Sequence, residues 1–338
     1  MATIYDVAKE AGVSIGTVSY VINKSKQVRP ITIKKVEAAM QKLNYLPSAH
    51  AKALALGRTN VISLVYPSSV IDFQMILNKI PIAIGDVLIN SDYRLNLLPL
   101  LPGKEIAELE ASVQSRLLDG ALLLNTLLHD ERVEYLKQTE VPFVLIGRCL
   151  DNNDLYFIDA DIEKAAHLQV EHLSNLGHHQ IAFVGLQPEG KNISSVSFRL
   201  QTAFINALNQ FGLSTNPRLL IKAGCPAEIF NDIEKLLTSA NPPTAISVSS
   251  EADAMCILKT AAKLGLKIPG DLAIIGYAES PLYPLLSPSI TVVFDKIMEL
   301  GNLATTMLLE LLDGKNPEKP HILLEPRLIA RESTVGKH

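Results

Sequence analysis

The chain has 338 residues, a net charge of −4 and 48% hydrophobic residues, a size that suits a small head on a body of one or two large domains better than a single core. No apolar run reaches the roughly 18 residues of a membrane span, and the N-terminus lacks the hydrophobic stretch of a signal peptide, so a cytoplasmic protein is expected. Cys149, Cys225 and Cys256 are isolated thiols without metal-type spacing; they read as core residues in a reducing compartment, and no metal, no cofactor and no enzymatic constellation is expected.

Taken in chain order, Ile4, Val7, Ala8 and Ala11 fall at the spacing that puts one helix face on a core. Thr3 is the expected N-cap, and Gly12 supplies the left-handed residue that ends the helix and turns the chain. A second helix starts from Ser14, with Val18, Val21 and Ile22 facing inward. That leaves Ile15, Gly16, Thr17, Ser19, Tyr20 and Asn23 on its outer and N-terminal surfaces. In a helix-turn-helix this is the part that enters the DNA major groove, and small hydroxyl residues there suit phosphate contact. A third helix is expected over about 31–43, with Val36, Ala39, Met40 and Leu43 inward, and Tyr45-Leu46-Pro47 closing the head.

Charge divides the chain in the same place. Residues 1–60 hold nine Lys or Arg against three acids, a net of +6, so with −4 overall the remainder carries −10. A basic head on an acidic body fits a DNA-binding module joined to a body that does not bind DNA. Ser48 to Leu56 (SAHAKALAL) has helix-forming composition but is too short to be stable alone, so it is expected to fold only against a partner. The expected boundaries are a helix-turn-helix head at 1–46, a hinge helix and linker at 47–59, and a two-lobed body at 60–338.

From Val61 onward short apolar runs alternate with helical stretches. Strands are expected at 61–65, 95–98, 121–124, 143–146, 156–158, 181–184, 245–248 and 272–275, and helices at 104–118, 162–176, 197–211 and 252–264. Such alternation predicts parallel sheets covered by helices on both faces. About nine or ten strands exceed one comfortable open sheet, which points to two similar lobes with a small-molecule site in the cleft beyond the strands' carboxyl ends.

The head pattern TIYDVAKEAGVS..TVS.VIN, with KVEAAMQKLNYLPSAHAKAL, LLDGALLL, VPFVLIGR, HLSNLGHHQIAFVG, PPTAISV, GLKIPGDLAIIGY and LLEPRLIARES in order, resembles the lactose-repressor/galactose-repressor (LacI/GalR) family of bacterial transcription regulators over nearly its full length. The resemblance implies an all-α head and an α/β body like type I periplasmic sugar-binding proteins. It further implies a homodimer whose paired heads bind a pseudo-palindromic operator, acting as a repressor under a small-molecule effector.

By position, the resemblance places Ile15, Gly16 and Tyr20 at bases and Thr3, Tyr5, Ser14, Thr17, Ser19, Asn23, Arg29 and Thr32 at phosphates or in support of them. It places Ala51 and Leu54 on the hinge, Leu54 as the wedge between base pairs at the operator centre. None of Ile15, Gly16 and Tyr20 is a bidentate base reader, so more specificity is expected from the Leu54 step and DNA deformability.

For the effector cleft it singles out Phe73, Arg148, Asp161, Arg199, Glu251 and Asp295, with Arg199 facing either a ligand or Asp161. The chain also departs from the family. Gly276-Tyr277-Ala278 lacks the carboxylate usual after the aromatic, Ser250-Glu251 replaces Asn-Asp, Asp295 replaces Gln, and Pro81 interrupts an expected helix. Either the effector is not an ordinary sugar, or control comes from a protein partner or from abundance.

Overall fold

The computed structural model describes residues 2–23, 27–45, 58–68, 74–186, 193–216, 219–222, 226–277, 280–294 and 296–335. The head is three helices. Helix α1, Ile4–Ala11, starts in a reciprocal cap: the Thr3 hydroxyl oxygen accepts from the Asp6 N–H, and the Thr3 N–H donates to Asp6 Oδ2 at 2.8 Å. It ends at Gly12, whose φ of +64° is left-handed. Helix α2, Ile15–Asn23, follows from Ser14, whose Oγ accepts from the Thr17 N–H at 3.1 Å. Helix α3, Pro30–Lys42, opens on a proline, where the missing N–H would have had no partner. Val7, Val18 and Val36, one from each helix, are fully buried and meet with Ala8 and Ala39, ringed by Ile4, Val21, Ile22, Met40, Leu43 and Tyr45.

The body holds twelve strands and eight further helices among the described residues. The strands are β1 (Val61–Pro67), β2 (Arg94–Leu100), β3 (Gly120–Leu124), β4 (Phe143–Ile146), β5 (Phe157–Ala160), β6 (Ile181–Leu186), β7 (Leu220–Lys222), β8 (Ala245–Val248), β9 (Ala273–Tyr277), β10 (Thr291–Phe294), β11 (His321–Leu324) and β12 (Arg327–Ile329). The helices are α4 (Gln74–Leu88), α5 (Glu105–Gln114), α6 (Glu131–Leu136), α7 (Ile162–Asn175), α8 (Ser195–Gln210), α9 (Pro226–Leu237), α10 (Glu251–Leu264) and α11 (Ile297–Leu312).

Two six-stranded sheets form, in the orders β11-β5-β4-β3-β1-β2 and β12-β10-β9-β8-β6-β7. Every pairing is parallel except β10 with β12. The chain passes between lobes after β5, after β10 and between β11 and β12, so neither lobe is one continuous stretch. Central strands such as β3 and β8 are buried at every residue, as sheets covered on both faces require. Each sheet has a core on either side.

Four strands escape the sequence reading: β7, β10, β11 and β12. β11 and β12 span only three or four residues at sheet edges, exposed or half-buried apart from Leu324, too short for a periodic signal. Pro81 does not interrupt its helix: α4 runs through it. The proline removes one intrahelical hydrogen bond, but Ile80, Ala83 and Ile84 are buried against α11 and hold the helix together. Contact there is close, since a Cβ built on Gly301 would lie 2.6 Å from Ala83 Cβ. No described helix is long and apolar enough to cross a membrane.

Candidate nucleic-acid interface and interlobe cleft

On the head, the residues expected to read DNA share the outer side of α2. Ser14, Ile15, Gly16 and Tyr20 are exposed, with Thr17 and Ser19 half-buried behind them. No acid sits in the first turn of α2, so its free N–H groups and the positive end of its dipole are available to a phosphate. Tyr5 is exposed on α1, Arg29 is exposed just before α3, and Thr32 is half-buried in α3's first turn. Asn23 is the last residue of α2.

Local bonding refines two of these roles. The Thr3 hydroxyl donates its one hydrogen to Asp6 Oδ2 at 2.8 Å, so donating to a phosphate would break that bond while leaving the two backbone bonds of the cap in place. The Ser14 and Thr17 hydroxyls lie 2.9 Å apart and share one hydrogen bond, which leaves one of their two hydrogens for a phosphate. A Cβ on Gly16 would meet only Ser14 Oγ, at 3.8 Å; the head itself does not require glycine there. Ala51 and Leu54, with the rest of 47–57, lie outside the described residues.

Just past Arg58 the chain is tied to the first lobe. The Asp119 carboxylate accepts from the Thr59 N–H and hydroxyl, both at 2.9 Å, and from the Asn60 N–H at 2.7 Å. Three donors on one carboxylate fix the point where the linker leaves the body.

In the cleft, Arg148 follows β4. Its Nε donates to Asp159 Oδ2 at 2.8 Å and its Nη2 to Glu163 Oε2 at 2.7 Å. Burial alone would depress Arg148, but Asp159 and Glu163 hold it above the ordinary guanidinium range; burial pushes Asp159 upward against the pull of Arg148. Arg199, on α8, donates to Ser195 Oγ at 3.2 Å and to the Cys149 carbonyl. Burial, then the charge of Arg148, lowers it.

Its acidic neighbour is Glu163, at 3.8 Å, which corrects the expected alternative of Asp161. Asp161 is the N-cap of α7 and accepts from the Lys164 N–H at 2.9 Å. Glu251 opens α10 behind the capping Ser250 and accepts the Ser280 hydroxyl. Close by, the buried Tyr283 packs on Gly276, where a Cβ would lie 3.0 Å from its ring and hydroxyl. Arg148 and Arg199 are thus brought together, while Glu251 belongs to a separate cluster. Phe73, Asp295 and Ala278 lie outside the described residues.

Sequence reasoning misses Glu163 and Asp159. Asp159 leaves a trace: an acid inside the buried strand FIDA has to be paired. Glu163, two residues past Asp161 in a helix's first turn, reads as an ordinary dipole-complementing acid, and nothing local reveals its arginines.

Known proteins share this architecture. The profile of bacterial regulatory proteins, lacI family, matches residues 3–48, and that of the periplasmic binding protein-like domain matches residues 170–334. Catabolite control protein A of Priestia megaterium is 30% identical, with 98% of this chain and 99% of that protein aligned. The HTH-type transcriptional repressor PurR of Pasteurella multocida (strain Pm70) is 30% identical over the whole of both chains. Among solved structures, the lac repressor dimer bound to operator and the anti-inducer ONPF superposes with a TM-score of 0.84 at 25% identity, covering 99% of each chain. The CelR–cellobiose complex gives a TM-score of 0.74 at 25% identity, covering 98% of this chain and 100% of that one. A helix-turn-helix whose second helix has an exposed, acid-free N-terminal face, a body of two parallel-sheet lobes and full-length relatives agree: the chain belongs to the lacI family of bacterial regulatory proteins and is a DNA-binding transcriptional regulator.

Proposed function

We propose that the protein is a cytoplasmic repressor that binds a pseudo-palindromic operator as a homodimer, each head laying α2 in the major groove. The observation that carries this is the exposed, acid-free N-terminal face of α2, with Ile15, Gly16 and Tyr20 foremost. Ile15 meets a thymine methyl, Gly16 permits close approach, and Tyr20 offers one hydrogen bond or an apolar edge. Tyr5, Ser14, Thr17, Ser19, Asn23, Arg29 and Thr32 serve phosphates, and Thr3 supports them through its cap.

The chain divides into a head at 1–46, a hinge at 47–59 and a body at 60–338, with Ala51 and Leu54 on the hinge entering the minor groove. A second copy covers the exposed apolar side chains of the first lobe, Ile82 and Ile89 on or beside α4 and Leu97 and Leu101 on or beside β2; a lac repressor solved on its operator is likewise a dimer. Titration of duplexes that differ at single base pairs tests the reading face. Tyr20→Ala should change which bases are preferred, whereas Thr17→Ala should weaken all sequences alike. A uniform loss with Tyr20→Ala would remove Tyr20 from base reading.

The interlobe cleft, with Arg148 and Arg199 and with Phe73, Asp161, Glu251 and Asp295 around it, is the proposed control site. A second reading, regulation without a free small molecule, is favoured by one observation: the side chains of Arg148, Arg199, Asp161 and Glu251 are all bonded within the protein.

A further inference from the structure

Two arginines, one from each lobe, reach across to the other. Arg148 of the first lobe binds Glu163 on α7, and the apolar face of α7 belongs to the core of the second lobe. Arg199 of the second lobe binds the Cys149 carbonyl of the first. The main chain closes the same gap: the Leu128 N–H donates to the Ile193 carbonyl and the Ser195 N–H to the Thr126 carbonyl, both at 3.0 Å, on either side of an isolated antiparallel bridge between Leu127 and Ser194.

The loop that makes these bonds is anchored by a buried ion pair. Asp130 and Arg132 are buried, joined at 2.6 and 2.9 Å, and Arg132 also donates to the carbonyls of Leu124 and Asn125. Among the described residues Glu163 is the carboxylate paired with both arginines; Asp159 is bonded to Arg148 and acts on Arg199 only through its charge. The side chain of Glu163 is 53% exposed, against 13% for Arg148 and 16% for Arg199. Arg148 keeps Asp159 whatever Glu163 does; the remaining bonds of Arg199 go to the neutral oxygens of Ser195 and Cys149.

We propose that Glu163 is an internal ligand of the cleft: its carboxylate takes the place of a small molecule's anionic group between Arg148 and Arg199, so the lobes close unaided. A molecule that enters here is therefore one whose carboxylate or phosphate displaces Glu163. Two half-buried guanidiniums on separate bodies repel unless an anion lies between them. A neutral sugar supplies none, whereas an anion that replaces Glu163 restores the charge-assisted bonds it breaks. The inference rests on reading the cleft as the control site.

The test uses the full-length protein with one fluorophore per lobe, read by energy transfer without DNA or added ligand. Wild type should show one short interlobe distance, unchanged by acetate. Glu163→Ala should lengthen it, and acetate but not neutral acetamide should bring it back, because the small carboxylate fills the vacated place. Glu163→Gln, which keeps the shape and loses the charge, should open as well and covers the case in which the alanine variant does not fold. A wild type that is open, a variant that stays closed, or rescue by acetamide equal to that by acetate overturns the proposal. If the distances behave as stated and operator affinity does not follow them, Glu163 stands as the internal ligand and it is the cleft's control of DNA binding that fails.

Discussion

Gly16 has room for a side chain and carries none, on the face that is to meet DNA. Gly16→Ala should strengthen α2 by up to about 1 kcal/mol through helix propensity and weaken operator binding, because the methyl holds the helix off the groove. Hydrogen exchange in the head and an operator titration check both halves; undiminished affinity would end the close-approach role. The Asp130–Arg132 pair behaves differently. Arg132→Met leaves the buried Asp130 carboxylate its two backbone N–H donors but no counter-charge and should cost about 3–5 kcal/mol, part of it recovered when Asp130 is neutralised as well. Denaturant unfolding followed in the first lobe measures this. Residues that act through sequence neighbours, such as Thr3, Gly12 and Ser14, are legible in the sequence itself. Glu163 is not, because its partners Arg148 and Arg199 lie 15 and 36 positions away in the chain.

Helices α6, α9 and α11 have no counterpart in the sequence reading, whereas those expected at 162–176, 197–211 and 252–264 read within two residues of their true bounds and β4 and β8 match residue for residue. Elements fixed by tertiary contact do not. The short edge strands β11 and β12 exist because neighbouring strands offer them a ladder, and α4 tolerates Pro81 because α11 packs against it. That packing predicts that Gly301→Ala, with its Cβ driven toward Ala83, forces the two helices apart at about 1–3 kcal/mol. Thermal unfolding should show the loss, and an unchanged midpoint would mean the helices give way freely.

On α7, His172 bonds the Thr334 hydroxyl at 2.8 Å, and burial lowers its pKa from 6.5. A depressed folded pKa means that the unfolded chain takes up the proton first. Stability is therefore full above pH 6.5 and falls as the pH drops from there through the lower folded value. His172→Asn should flatten that part of the pH profile, as melts at a series of pH values would show.

At the scale of the molecule, residues 1–60 carry a net charge of +6 and are joined to a remainder of −10, and the join is clamped by Asp119. That asymmetry is readable from sequence, as is the two-lobed body; the way the lobes bridge each other is not, because it depends on loops that meet only after both sheets have formed. Asp119→Ala should uncouple the linker from the first lobe and reduce any effect of lobe closure on DNA affinity, while direct binding of the heads to non-specific DNA persists through its charge. The claim beneath all of this is that the paired heads read a symmetric site. Selection of binding sites from random duplex DNA by the full-length protein tests it most directly. The account predicts enrichment of one pseudo-palindromic sequence with fixed half-site spacing, whereas a pool that shows no enriched sequence, or only a single unpaired half-site, would contradict it.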